Sequence, residues 1–235
     1  MASAHTLLYT GLELNSASRG RAPELRAAGG GLPPQRTYHV HPNFVAAACA
    51  VIHDAGAKRI VVVESGYSRK PLDEVMGAAG WDIAGINSAG GGTVSWEDTR
   101  NKGRWANYVR FAVPWGGFVY PAYELNARYE KTDVLVSVAK MKDHANAGIT
   151  MAVKNFFGNA PTSIYGDNYD KQGRPAVDER SITARGDTFH RGKRMPPAGV
   201  PQEVDVQSPR TWRYRVPRIT ADLFGLRPAD LCLID

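Results

Sequence analysis

Cysteine is scarce, with only Cys49 and Cys232 in 235 residues. They lie far apart in apolar contexts, so buried free thiols are expected rather than a disulfide. Two thiols fall short of the four that one chain gives an iron–sulfur cluster, so no cofactor is evident. No apolar run of about 18 residues exists, and no transmembrane helix is expected. The N-terminus shows neither the basic, apolar and small-residue succession of an export signal nor a twin arginine, which makes the cytoplasm the default expectation. A Gly-x-Ser-x-Gly elbow is missing, so acyl transfer through serine is not supported. Gly90-Gly91-Gly92 belongs to neither a Walker loop nor a spaced dinucleotide fingerprint, and it reads as a flexible connection. RNP aromatics, zinc knuckles and a helix-turn-helix pattern are absent, which argues against nucleic acid as partner.

What is present suits one α/β domain. Hydrophobic residues make up 43% of the chain, enough to build a core. The formal net charge of +6 and the pI near 9.4 favour an anionic partner. Lys58–Glu64 is a continuous apolar run of the kind buried on both faces of a parallel sheet. Asp133–Val138 is a second such run, and Thr6–Tyr9 and Val109–Val113 are shorter strand candidates. Asn43–Ala55 carries a helical apolar stripe, with Pro42 suited to its first turn and Gly56 to its stop. Helices are also expected over 71–79, 120–129 and 216–224, a loop over 85–98, and a last strand over 229–234. Residues 1–36 read as a poorly patterned arm. The remainder, 37–235, reads as an open, mostly parallel sheet with flanking helices and a long irregular insertion, 159–215. Such an insertion is functional or mobile in most domains. This one carries His190, Arg191, Lys193 and Arg194 and is placed to close over the site.

The chemistry concentrates in residues 134–161, which read as a strand, a polar turn and a helix from about Gly148 to Phe157. Lys140, Lys142 and His144 alternate, so in an extended segment they share one face. Lys154 in the following helix points back toward them. Cations converging where strand carboxyl ends meet a helix N-terminus suit a phosphate or carboxylate. The bland alternative is a solvated basic turn. Glu64 ends its strand in the same layer, before Ser65-Gly66. With His144 it is a candidate proton-transfer group, against the alternative of a helix-capping or ion-paired Glu. Asn155 is placed to line the same crevice. His39-x-His41 invites a metal reading, but without further spaced ligands capping and local packing are preferred. No metal ligand is assigned.

Asp133, Lys140, Lys142, His144, Gly148, Thr150, Lys154, Asn155, Phe157 and Gly158 together resemble the signature of the family called domain of unknown function 362. Tyr165-Gly166-Asp167, His190-Arg191-Gly192-Lys193-Arg194 and the stretch around Tyr214–Ile219 also resemble a subgroup of it. The resemblance covers about Pro42 to Asp235. It implies an α/β fold and a site at these positions, with Thr150 and Asn155 among the ligand-binding residues, but no reaction. Asp143 stands where the signature has Thr, which weakens the anion reading locally. Similar sequences open with a strand ending in a Lys-Pro-Asn-like turn, not found here. They continue past the last strand into a Gly-rich segment, so a C-terminal truncation is expected, with Asp235 a site residue at the cut. Some relatives carry ferredoxin-type cysteine motifs. That leaves a redox-associated protein served by a ferredoxin-like iron–sulfur partner as one alternative, and a non-catalytic binding or scaffold fragment as another. Relatives with twin-arginine signals keep export open if the N-terminus is incomplete.

Overall fold

The computed structural model describes residues 5–9, 39–64, 72–98, 108–144, 146–167 and 185–235. The chain begins with β1 (His5–Tyr9), α1 (Pro42–Asp54), β2 (Arg59–Glu64), α2 (Leu72–Ala78), α3 (Ile83–Ala89) and β3 (Val94–Asp98). It continues through β4 (Tyr108–Ala112), β5 (Ala122–Asn126), β6 (Val134–Ala139), β7 (Lys142–His144) and β8 (Gly148–Thr150). The last elements are α4 (Ala152–Asn155), α5 (Thr162–Tyr165), α6 (Trp212–Leu226) and β9 (Leu231–Ile234).

Five strands form one parallel sheet in the order β3-β2-β1-β6-β9. The expected α/β class with a parallel sheet is therefore the observed one. β1 is the middle strand, with Leu7 opposite Val61 on one side and Leu135 on the other. From β1 the chain steps outward through β2 to β3, then crosses back to lay β6 against β1's free side. That reversal makes the boundary between β1 and β6 a topological switch point, the position at which open α/β sheets form a ligand crevice outside the strand carboxyl ends.

Side-chain alternation divides the core into two layers. Ile60 and Val62 of β2 and Val136 and Val138 of β6 pack with Val45, Cys49, Met76 and Ile86 from α1 to α3. Val61, Val63 and Leu135 face the other way, onto Phe156, Ile219 and Leu223. Cys49 is a buried free thiol, as expected, and burial pushes it up to about 12. Cys232 is also free but exposed, because β9 is the sheet's edge strand.

Four local readings are corrected. Residues 85–98 are not a loop: Asp82 caps α3 by accepting from Gly85 N, and β3 pairs along all of its length with β2. The glycines make the turn between them, Gly91 and Gly92 taking positive φ while their amides return to Ser88 O and Asn87 O. This turn lies at the amino edge of the sheet, opposite the crevice. Residues 120–129 are not a helix. Ala122–Asn126 pairs antiparallel with β4, Val109 facing Leu125, and only the turn Ala127–Tyr129 is helical. There tertiary pairing overrides a helical apolar spacing.

The helix read from Gly148 to Phe157 begins instead as β8, paired with β7 through a turn at Gly148 (φ 77°). Only Ala152–Asn155 is α-helical, followed by a 3-10 turn, Phe156–Asn159. The final helix starts at Trp212 rather than 216. Pro217 lies inside α6. Within the expected insertion, α5 and a π-helical turn, Gly186–His190, are ordered by packing. Its middle, 168–184, lies outside the described residues, as do Ser65-Gly66, residue 71 and most of the N-terminal arm, 10–38. Among the described residues, no helix is long and apolar enough to cross a membrane.

Candidate functional site

β6 ends at Ala139, so Lys140 is the first residue past a strand bordering the crevice. Its ammonium lies 3.1 Å from Asp235 Oδ2, and the same oxygen accepts from His41 N at 2.7 Å. Backbone bonds fix this pairing: Asp235 N donates to Ala139 O at 2.9 Å, and Met141 N donates to Asp235 O at 3.0 Å. Three elements thus meet at one carboxylate: the ends of β6 and β9 and the start of α1. His41 takes the capping role expected of it, its Nδ1 accepting from Asn43 N at 3.2 Å. His39 is buried, with its ring tilted against Trp81. Burial lowers its pKa, and the nearby charges of Lys142, Lys140 and His41 lower it further.

The β7–β8 hairpin has two faces. Lys142 pairs with Thr150 and His144 with Gly148, so these lie on one side, while Asp143 pairs with Ile149 on the other. The acidic Asp143 is therefore turned from the face that carries Lys142 and His144. Thr150 Oγ1 is buried and makes no hydrogen bond. His144 Nδ1 accepts from Asn146 N and Ala147 N, each at 3.1 Å. Two backbone donors on Nδ1 place the proton of the neutral ring on Nε2.

Lys154 and Asn155 follow on α4, both buried. Asn155 Nδ2 donates to Ser137 Oγ at 3.2 Å and to Val138 O at 3.3 Å, and Ser137 Oγ donates to Ala152 O at 3.2 Å. These bonds lock α4 onto β6, so the amide of Asn155 positions its neighbour. Lys154 Nζ sits 4.1 Å from the centre of the Phe157 ring, over its face.

A further histidine, His190, joins this group from the π-helical turn. Its ring packs edge-on against Phe157 at 5.3 Å. Burial brings its pKa down to about 4, and Lys154, His144 and Arg185 add repulsion, against a hydrogen bond to Arg185 O. The carbonyl can only accept, so Nδ1 donates to it and Nε2 keeps its lone pair. His144 and His190 are thus neighbours in opposite tautomers, one offering an N–H and the other an acceptor. The turn is held by Asp167, whose carboxylate accepts from Gly186 N at 3.0 Å and Asp187 N at 2.8 Å. Arg185 is tied to Ala160 O and Gly158 O at 2.6 and 3.1 Å.

Lys140 and Asp235 therefore meet at the carboxyl end of β6, with Lys140 and Lys142 near His39, while Lys154 and His144 lie near His190. Glu64 is buried at the end of β2, in register with Asp98 on β3. Two strand spacings separate it from β6, roughly 10 Å, so it stands on the far side of β1 from the cationic group. His190 and Arg185 are the site residues that pattern reading did not assign. The one signal in the sequence was His190 itself, within the basic stretch 190–194. Among the described residues, no three His, Cys, Asp or Glu side chains converge as a metal cage requires.

A family model described as "Domain of unknown function (DUF362)" matches residues 26–235. No curated protein matches the chain.

Proposed function

The chain belongs to the DUF362 family, and on that premise we propose that it binds a small anion, a phosphate or carboxylate, in the crevice between β1 and β6. The observation that carries this reading is two groups of cationic and imidazole side chains past the end of β6, Lys140 and Lys142 near His39 and His41, and Lys154 near His144 and His190, beside a topological switch point. Like charges are costly to assemble, and a group of them attracts an incoming anion. Thr150 Oγ1, buried without a partner, offers it a hydrogen bond.

The pair of imidazoles extends the reading to proton transfer. His190 Nε2 accepts a proton from the bound molecule, its ring held neutral by burial, and His144 Nε2–H donates a hydrogen bond to the charge left behind. Glu64 lies beyond β1 and takes no part in that step.

The test is a thermal-shift and calorimetric titration with inorganic phosphate, phosphorylated metabolites and carboxylates. At about a hundredfold the dissociation constant, a ligand stabilises by roughly 2.7 kcal/mol. Saturable binding, lost in Lys140→Ala and in Lys142→Ala, is the expected result. No binding to the folded wild-type chain, or equal binding in both variants, overturns the reading.

A further inference from the structure

The face of the β7–β8 hairpin turned away from Lys142 opens onto a groove of about 810 Å³. Its walls come from the hairpin, α4, the first half of α6 and the end of β9. Ile149, Met151, Val153, Trp212 and Ile234 line it, and each is at least 37% exposed. Apolar side chains left in water on a concave surface mark a binding site when they are contiguous, and the volume is that of a small-molecule pocket.

Its charged groups are few and of one sign. Lys154 and Arg213 are cationic, and no acidic residue lines the groove among those described. Thr220 is 7% exposed, and its Oγ1 lies buried in this wall with no hydrogen-bond partner. A buried hydroxyl without a partner is costly and calls for one. Lys154 lines the groove and also lies near His144 and His190, so a molecule filling the groove reaches that part of the anion site with one end.

We propose that this groove binds the apolar body of an amphipathic carboxylate whose head group lies at Lys154. The inference rests on the anion-binding reading and deepens it by naming the rest of the ligand. An apolar chain alone would make no use of Lys154 and Arg213, and an amphipathic cation would face both. A peptide or a membrane would meet the exposed rim but does not account for the polar groups set in the wall.

The experiment is a calorimetric titration of the full chain with decanoate, decyltrimethylammonium and inorganic phosphate. It is repeated in Trp212→Glu and Thr220→Val. Trp212 is an exposed residue in the first turn of α6, where a carboxylate suits the helix dipole. Thr220→Val keeps the side-chain shape and removes the orphan hydroxyl. Expected are saturable decanoate binding, at least tenfold weaker binding of the cationic analogue, and at least tenfold weaker decanoate binding in Trp212→Glu. Thr220→Val is expected to bind decanoate several-fold more weakly while melting no lower than wild type. A packing role alone would lower its melting temperature and leave affinity unchanged.

Phosphate binding without decanoate binding overturns the groove assignment and leaves the anion site standing. Absence of both overturns the two together. Equal affinity for the cationic analogue overturns the assignment. So does a wild-type dimer that Trp212→Glu dissociates, or sedimentation with anionic vesicles that decanoate does not displace, since a second copy or a lipid surface then covers the groove.

Discussion

Lys140 Nζ and Asp235 Oδ2 lie 3.1 Å apart at the ends of two adjacent parallel strands, both side chains largely buried. The Asp235 carboxylate thus touches the cationic group directly, and it is shared with His41 N. In that position it competes for Lys140 with any anion entering the crevice.

Replacing Asp235 with Asn removes that competition. The Asn carbonyl still accepts from His41 N, so the local backbone arrangement is kept. Phosphate affinity is expected to rise threefold to tenfold, on the order of 1 kcal/mol for one partly screened charge. Calorimetry on Asp235→Asn beside Lys140→Ala checks this. A fall in affinity would show that Asp235 orients Lys140 rather than opposing the ligand.

The parts of the site that were legible in the sequence are those made by short-range geometry. Lys142 and His144 share a face of β7 by strand alternation, and Lys140 follows from the end of β6. The α1 cap follows from His41-Pro42, and β2 and β6 from their apolar runs. What stayed hidden depends on partners remote in sequence. β1 is short, and only its place between β2 and β6 makes it the central strand. β5 carries helical spacing and becomes a strand because β4 lies beside it. His190 reaches the site through Asp167, which gathers the amides of the turn from 19 and 20 residues away. No periodicity within either segment encodes that contact.

Asn155→Leu is expected to loosen α4 from β6. It strips Val138 O and Ser137 Oγ of a buried donor, and an unsatisfied buried acceptor costs roughly 1–3 kcal/mol. Urea unfolding measures the loss. Because Lys154 is adjacent on the same turn, phosphate affinity should fall with it, whereas Ser137→Ala should cost less in both.

Glu203→Gln tests the frame behind His190. The Glu203 carboxylate is fully buried between Arg215 at 2.7 Å and Arg210 at 2.5 Å. Arg215 also donates to Thr188 O at 3.1 Å, inside the turn that carries His190. Neutralising the carboxylate leaves the buried guanidinium of Arg215 without its counter-charge, a loss of about 3–5 kcal/mol. Tyr120→Phe, which removes a neutral hydroxyl that accepts from Arg215 at 3.2 Å and donates to Glu203 at 3.4 Å, should cost about 1 kcal/mol. Equal losses in the two variants would mean that charge is not what holds this frame.

The pH dependence of stability carries the signature of His190. Its pKa is about 4 in the folded chain against an ordinary 6.5. Between those values the unfolded chain binds a proton that the native imidazole refuses, so stability falls as pH drops from about 6.5 to about 4. The loss is on the order of 3 kcal/mol for that difference, and it is complete below pH 4. His39, also lowered, contributes in the same sense. Asp167 and Asp222, raised chiefly by burial, act oppositely because the folded state binds their protons first. His190→Phe isolates the effect, since Phe fits beside Phe157 and carries no titrating group. Urea unfolding at pH 7 and pH 4.5 should show a smaller decline in the variant than in the wild type. Identical declines would mean that His190 titrates alike in both states and that the burial and repulsion from Lys154, His144 and Arg185 do not hold it neutral.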